Sequence, residues 1–271
     1  MMRLSILHLF FAICLLSCLV GCSEEPLDEP VINQEPTVMP EYDLSLPSNV
    51  KAVDLGLAVK WASCNLGAKE PLDYGGYFAW GDPTGKLWSG EGIGYDEQGY
   101  TWDTELYGGK KPKTIEYSGS KLDIVAEHWG NGWRIPSSTE AWELCRWCKW
   151  ELKEKNGRKY YRVTGQNGNH IDLPLGGMYA DFGYDHPYRF SKGPNVLNQT
   201  GLYWTSTICP PGSGIKTGGG YSIHPDVYNA YVFVANSALG NITDQAKFMV
   251  HLRAMHMSIR PVRSKGSAPP G

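Results

Sequence analysis

Two Asn-Gly pairs, Asn156-Gly157 and Asn167-Gly168, give this chain its strongest short-range hairpin signal. Two-residue hairpin turns need positive φ angles, and Asn followed by Gly supplies them at the least steric cost. The pairs cut residues 147–174 into three runs, WCKWEL, KYYRVTG and HIDLP, joined by Lys155-Asn156-Gly157-Arg158 and Gln166-Asn167-Gly168-Asn169. A three-stranded antiparallel meander is predicted, with Tyr161, Val163, Ile171 and Leu173 giving it a period-2 inward face.

The segment ahead of the meander, HWGNGWRIPSSTEAWELCRWCKW (His128–Trp150), sets how the meander is entered. Pro136 drives Ile135 toward extended geometry. Ser137 with Glu140 three residues on is a capping box, so a helix is expected from there. Ala141, Leu144, Cys145 and Cys148 then fall on one face, which can dock on a sheet. The helix must be short, because from Trp147 onward the residues suit a strand equally well.

Five blocks in fixed order carry a family likeness: Lys60–Asp82 (KWASCNLGAKEPLDYGGYFAWGD), the His128–Trp150 segment, Val163–Gly177 (VTGQNGNHIDLPLGG), Leu202–Thr207 (LYWTST) and Ser258–Arg263 (SIRPVR). Over residues 52–263 the chain resembles the Fibrobacter succinogenes major paralogous domain, found in secreted and surface lipoproteins of gut bacteria. The resemblance implies an α+β, C-type-lectin-like fold: a short helix packed on mostly antiparallel sheets with long irregular loops, first and last strands paired. It implies architecture more than activity, since most members have no established biochemistry. In that setting Trp61, Trp80, Trp129, Trp133, Arg134, Pro136, Trp204 and Arg260 are scaffold residues. Trp129, Trp133, Arg134 and Pro136 fix the turn and dock the helix, Arg134 pairs with a buried acceptor, and Trp204 sits in the central sheet.

Residues 1–21 read as a leader, with Arg3 ahead of an apolar run that ends in Leu19-Val20-Gly21-Cys22. That ending fits a lipoprotein signal cut before Cys22, which would then carry lipid. Residues 22–46 are acidic and proline-bearing and bury too little to fold alone, so a tether is expected there. Glu24, Glu25, Asp28 and Glu29 resemble a signal for the outer face of an outer membrane. The single domain is placed at 47–263 and a loose tail at 264–271. The chain of 271 residues has a formal net charge of −3, which gives no sign of nucleic-acid binding.

Elsewhere, Val53, Leu55, Leu57 and Val59 alternate as in a half-buried strand, YFAWGD (Tyr77–Asp82) reads as a second short strand, and NAYVFVAN (Asn229–Asn236) as another. KFMVHLRAMHMSIRPVR reads as two closing strands, the last ending at an edge because of Pro261. Two loop regions mix aromatic and acidic residues. Trp88, Tyr95, Tyr100, Trp102 and Asp103 fall in the first, and Tyr184, Asp185 and Tyr188 in the second. Aromatic faces stack on sugar rings while carboxylates accept hydroxyl hydrogens, so these residues form the candidate binding face.

Other chemistries are disfavoured. Cys145-Arg-Trp-Cys148 lies well inside the helix rather than at its start, and it lacks the second pair a zinc site needs. Cys64, Cys145, Cys148 and Cys209 could instead form structural disulfides, in any of three pairings. The Glu-Pro-Asn, Gln-Pro-Asp and Trp-Asn-Asp motifs of calcium-dependent lectins are missing, as are Gly-x-Ser-x-Gly, His-Glu-x-x-His and a phosphate-binding loop. A glycosidase carboxylate pair depends on spatial separation and stays open. The expectation is a non-catalytic, lipid-anchored module at the outer-membrane surface with no cofactor and no metal. Its partner would be a glycan or, alternatively, a host or bacterial surface protein.

Overall fold

The computed structural model describes residues 41–85, 116–179, 196–209, 229–237, 248–253 and 255–266, all within one compact unit, Met39–Gly271. Cys22, the leader, most of the tether and the eight candidate binding residues from Trp88 to Tyr188 lie outside the described residues.

Among the described residues, ten strands and two helices form a sheet-rich α+β fold in which the pairings between these strands are antiparallel. The first sheet runs β1 (Ala52–Asp54), β2 (Val59–Ala62), β10 (Val262–Ser264), β3 (Trp133–Arg134). The last strand is therefore interior, and it joins β2 and β3 rather than β1. This corrects the edge reading of Pro261. The proline precedes β10, and its carbonyl accepts from Ala62 N at 2.8 Å, so no ladder donor is lost. Ser264 belongs to β10, and Lys265 pairs with Asp54 at 2.9 Å, so ordered structure runs past residue 263.

The alternating run Val53 to Val59 is a hairpin, not one strand. It reverses at Gly56, whose φ is 80°, while Leu55, Leu57 and Val59 all remain in one core. Tyr77–Asp82 forms a single bridge, Phe78 to Met257, in place of a strand. Indole groups fasten this segment to the third sheet. Trp80 Nε1 donates to Thr205 O and Trp204 Nε1 donates to Phe78 O, each at 2.8 Å.

The meander is the second sheet: β4 (Lys149–Lys155), β5 (Arg158–Thr164) and β6 (His170–Pro174). Asn156 and Gly157 take φ 53° and 74°, as a tight hairpin requires. Tyr161, Val163, Ile171 and Leu173 are buried on its inner face.

The third sheet is β7 (Thr200–Cys209), β8 (Asn229–Asn236) and β9 (Phe248–Leu252). All ten residues of β7 are buried because the sheet separates two cores. Leu202, Trp204, Ile208, Val232 and Val234 face one core with Phe78, Trp80, Trp129 and Trp133. Tyr203, Phe233 and Ala235 face the other, with Trp61, Leu144, Cys145 and the meander. Tyr42, Leu44 and Leu46, within the span composition assigned to the tether, pack against the first core.

Candidate functional site

Helix α1 (Ile124–Trp129) has no counterpart in the sequence reading, and its N-cap residue is central to the fold. Asp123 is fully buried, and its carboxylate accepts four backbone N–H groups. Oδ1 takes Val125 at 2.9 Å and Ala126 at 3.1 Å, which caps α1. Oδ2 takes Gly119 at 2.7 Å and Ile135 at 2.9 Å, which joins the preceding turn to the Arg-Ile-Pro corner. Burial pushes the Asp123 carboxyl up, and the four donors act against it.

The corner launches helix α2 (Ser138–Trp147) through the expected capping box on Ser137 and Glu140. Arg134 grips Glu140 with both terminal nitrogens, at 2.8 and 2.5 Å, and donates to Ser118 Oγ at 3.0 Å. Burial alone would raise the Glu140 carboxyl, but Arg134 and the Ser137 N–H outweigh it and hold it low. Ala141, Leu144 and Cys145 face the core, so α2 is fixed in rotation about its axis.

That rotation turns Trp142 and Trp147 outward, 45% and 49% exposed. Their rings meet edge to face, with centroids 6.2 Å apart and planes at 89°, and the Arg146 guanidinium lies 5.5 Å from the Trp147 ring centroid. Beside Trp147 is a cavity of about 240 Å3 lined by Leu55, Gly56, Leu57, Ala58, Glu143 and Gln166. Glu143 Oε2 accepts Ala58 N at 3.1 Å, leaving Oε1 without a partner among the described residues, and the Gln166 amide is exposed.

The second Asn-Gly turn brings Gln166 to this cavity. Asn167 and Asn169 both donate to Asp54 O, at 2.9 and 2.8 Å, which clamps the β5–β6 turn onto the β1–β2 hairpin. Gly165 makes the approach possible, since a Cβ there would fall inside the contact distance of the Leu55 carbonyl. Two turns and one helix are thus fixed beside Trp147 by hydrogen bonds of 2.8–3.1 Å.

The scaffold tryptophans Trp61, Trp80, Trp129, Trp133 and Trp204 are all buried, as is Pro136. Arg260 is fully buried and ties three segments together. It donates to Asn65 Oδ1 at 2.8 Å, Ala62 O at 3.0 Å and Asp172 O at 2.8 Å. Cys64, Cys145, Cys148 and Cys209 are all buried and none is in a disulfide, contrary to the disulfide expectation. Burial raises the Cys64 thiol, making it a poor nucleophile. Among the described residues no cluster of His, Cys, Asp or Glu is arranged to hold a metal.

The exposed tryptophans were not singled out from sequence. Their signal was positional: both lie off the Ala141, Leu144, Cys145 face, where a polar residue is the norm. Comparison with family models, with characterised proteins and with solved structures finds no match to this chain.

Proposed function

We propose that this chain is a non-catalytic carbohydrate-binding module of C-type-lectin-like fold, related to the Fibrobacter succinogenes major paralogous domain and held at the outer-membrane surface by lipid on Cys22. The observation that carries the binding role is the exposed Trp142–Trp147 pair beside the Glu143 and Gln166 cavity. Large indole faces rarely stay in water without a partner, and a sugar ring offers them an apolar C–H face. Glu143 Oε1 and the Gln166 amide supply the acceptors and donors that orient sugar hydroxyls. At about 240 Å3 the cavity is smaller than the roughly 300–1,000 Å3 of enclosed ligand sites, so it suits one ring of a longer glycan lying along the surface.

Binding is favoured over hydrolysis because a glycosidase needs two carboxyl groups across the bond, whereas Glu143 is the single carboxylate in the described lining. The loop aromatics Trp88, Tyr95, Tyr100, Trp102, Tyr184 and Tyr188, with Asp103 and Asp185, are proposed as a second contact region. A glycan array probed with the purified full chain tests the reading. Binding to a defined set of glycans, lost in Trp142→Ala and Trp147→Ala, is expected. An array without signal would refute it.

A further inference from the structure

One face of the first sheet carries, at Lys60 and Arg263, a charge arrangement that its own residues compensate only in part. Lys60 on β2 and Arg263 on β10 are direct cross-strand neighbours in the antiparallel register. Like charges placed opposite one another destabilise a sheet. Among the described residues neither side chain makes an ion pair or hydrogen bond, and Lys60 acts on Asp54 through its charge alone. The acid closest in register is Asp54, opposite Lys60 on β1, and its Oδ1 is already held by Lys265 at 2.9 Å and by Gly56 N at 2.8 Å. Three cations and one carboxylate therefore meet here, leaving two positive charges unbalanced.

Both cations line a cavity of about 320 Å3, together with Ala52, Gly132, Ser264 and Gly266. The volume reaches the lower end of the range for small-ligand sites. Two of the lining residues are glycines, and even a Cβ added at Gly132 would stand 4.0 Å from Arg263 Cγ, so the backbone leaves the approach open. A guanidinium fork and a point-charged ammonium beside one opening match the needs of a tetrahedral or planar oxyanion.

We propose that this cavity binds the oxyanion group of a small acidic ligand, a sulfate, phosphate or carboxylate, between Lys60 and Arg263. The site shares no lining residue with the aromatic corner. Leu55–Ala58 border that corner, while Ala52 and Lys60, on the two strands flanking the same turn, border this cavity. The two sites therefore stand or fall separately.

Calorimetric titration of the full chain at fixed ionic strength with inorganic sulfate, inorganic phosphate, glucuronate and, as the neutral control, glucose provides the test. Saturable binding of at least one anion, weakened tenfold or more by Arg263→Gln and by Lys60→Gln, is expected. Preference for sulfate, for phosphate or for glucuronate identifies which oxyanion the site takes. Trp142→Ala should leave this binding unchanged, which separates it from glycan recognition. Arg263→Gln should also keep or raise the unfolding temperature at low salt, because it removes a like-charge neighbour. Absence of saturable binding for all three anions, binding that survives both substitutions, or a lowered unfolding temperature in Arg263→Gln would overturn the proposal.

Discussion

Replacing Asp123 removes the group that holds the turn before α1, the α1 cap and the corner that aims α2. In Asp123→Ala four backbone N–H groups lose their acceptor. The hydrogen bonds to Val125 and Ile135 are buried, so those two donors are stranded at about 1–3 kcal/mol each, whereas water can reach Gly119 and Ala126. Loss of a helix N-cap by itself costs about 0.5–2 kcal/mol. Because the Val125 bond is counted in both figures, the loss comes to roughly 2–6 kcal/mol, a large part of the 5–15 kcal/mol that stabilises a typical domain. Asp123→Asn is more discriminating. Its carbonyl can keep the Val125 and Ala126 pair, but its amide then points N–H groups at the N–H groups of Gly119 and Ile135, for a loss of roughly 2–4 kcal/mol. Urea unfolding of the two variants, followed by tryptophan fluorescence, gives these losses directly. A loss below about 1 kcal/mol in both would refute the reasoning that one carboxylate organises this region.

Glu140→Gln should cost about 1–3 kcal/mol in the same assay, because it leaves the half-buried Arg134 guanidinium without its paired carboxylate. The pH dependence follows from the depressed Glu140 carboxyl. Its stabilisation is fully present above the unfolded-state value of about 4.3 and is lost as pH falls through the lower folded value, so the wild type should lose more stability than Glu140→Gln on acidification below about pH 4.3. Gly165→Ala should destabilise by about 1–3 kcal/mol, since the added methyl meets the Leu55 carbonyl and pushes the β5–β6 turn off the hairpin; the same variant should weaken glycan binding by displacing Gln166 from the cavity.

The meander and α2 were legible in the sequence because their signals are local. Asn-Gly turns, a capping box and a helical apolar face each act within a few residues. The β1–β2 hairpin was misread because Leu55 and Leu57, on either side of Gly56, both bury in the same core, so the period-2 pattern continues through the reversal. Helix α1 spans six residues, too few to display a period, and its N-cap Asp123 acts through distant backbone groups at Gly119 and Ile135. The interior place of β10 depends on pairing with β2 across most of the chain, which Pro261 could not reveal. Trp142 and Trp147 were missed for a compositional reason: tryptophan is normally core material, and only the orientation of α2 turns these two outward. The loop aromatics on which the sequence places sugar binding lie outside the described residues.

The most direct test is a titration of the full chain with a glycan selected from the array, comparing wild type, Trp142→Ala, Trp147→Ala and the loop pair Trp88→Ala with Trp102→Ala. Both helix tryptophans are about half exposed, so each replacement should change stability by no more than about 0.5 kcal/mol. Each removes one stacking face, worth about 1–2 kcal/mol, so binding should weaken roughly 5- to 30-fold. Unchanged affinity in Trp142→Ala and Trp147→Ala, with loss confined to the loop pair, would contradict the assignment of the binding face to helix α2.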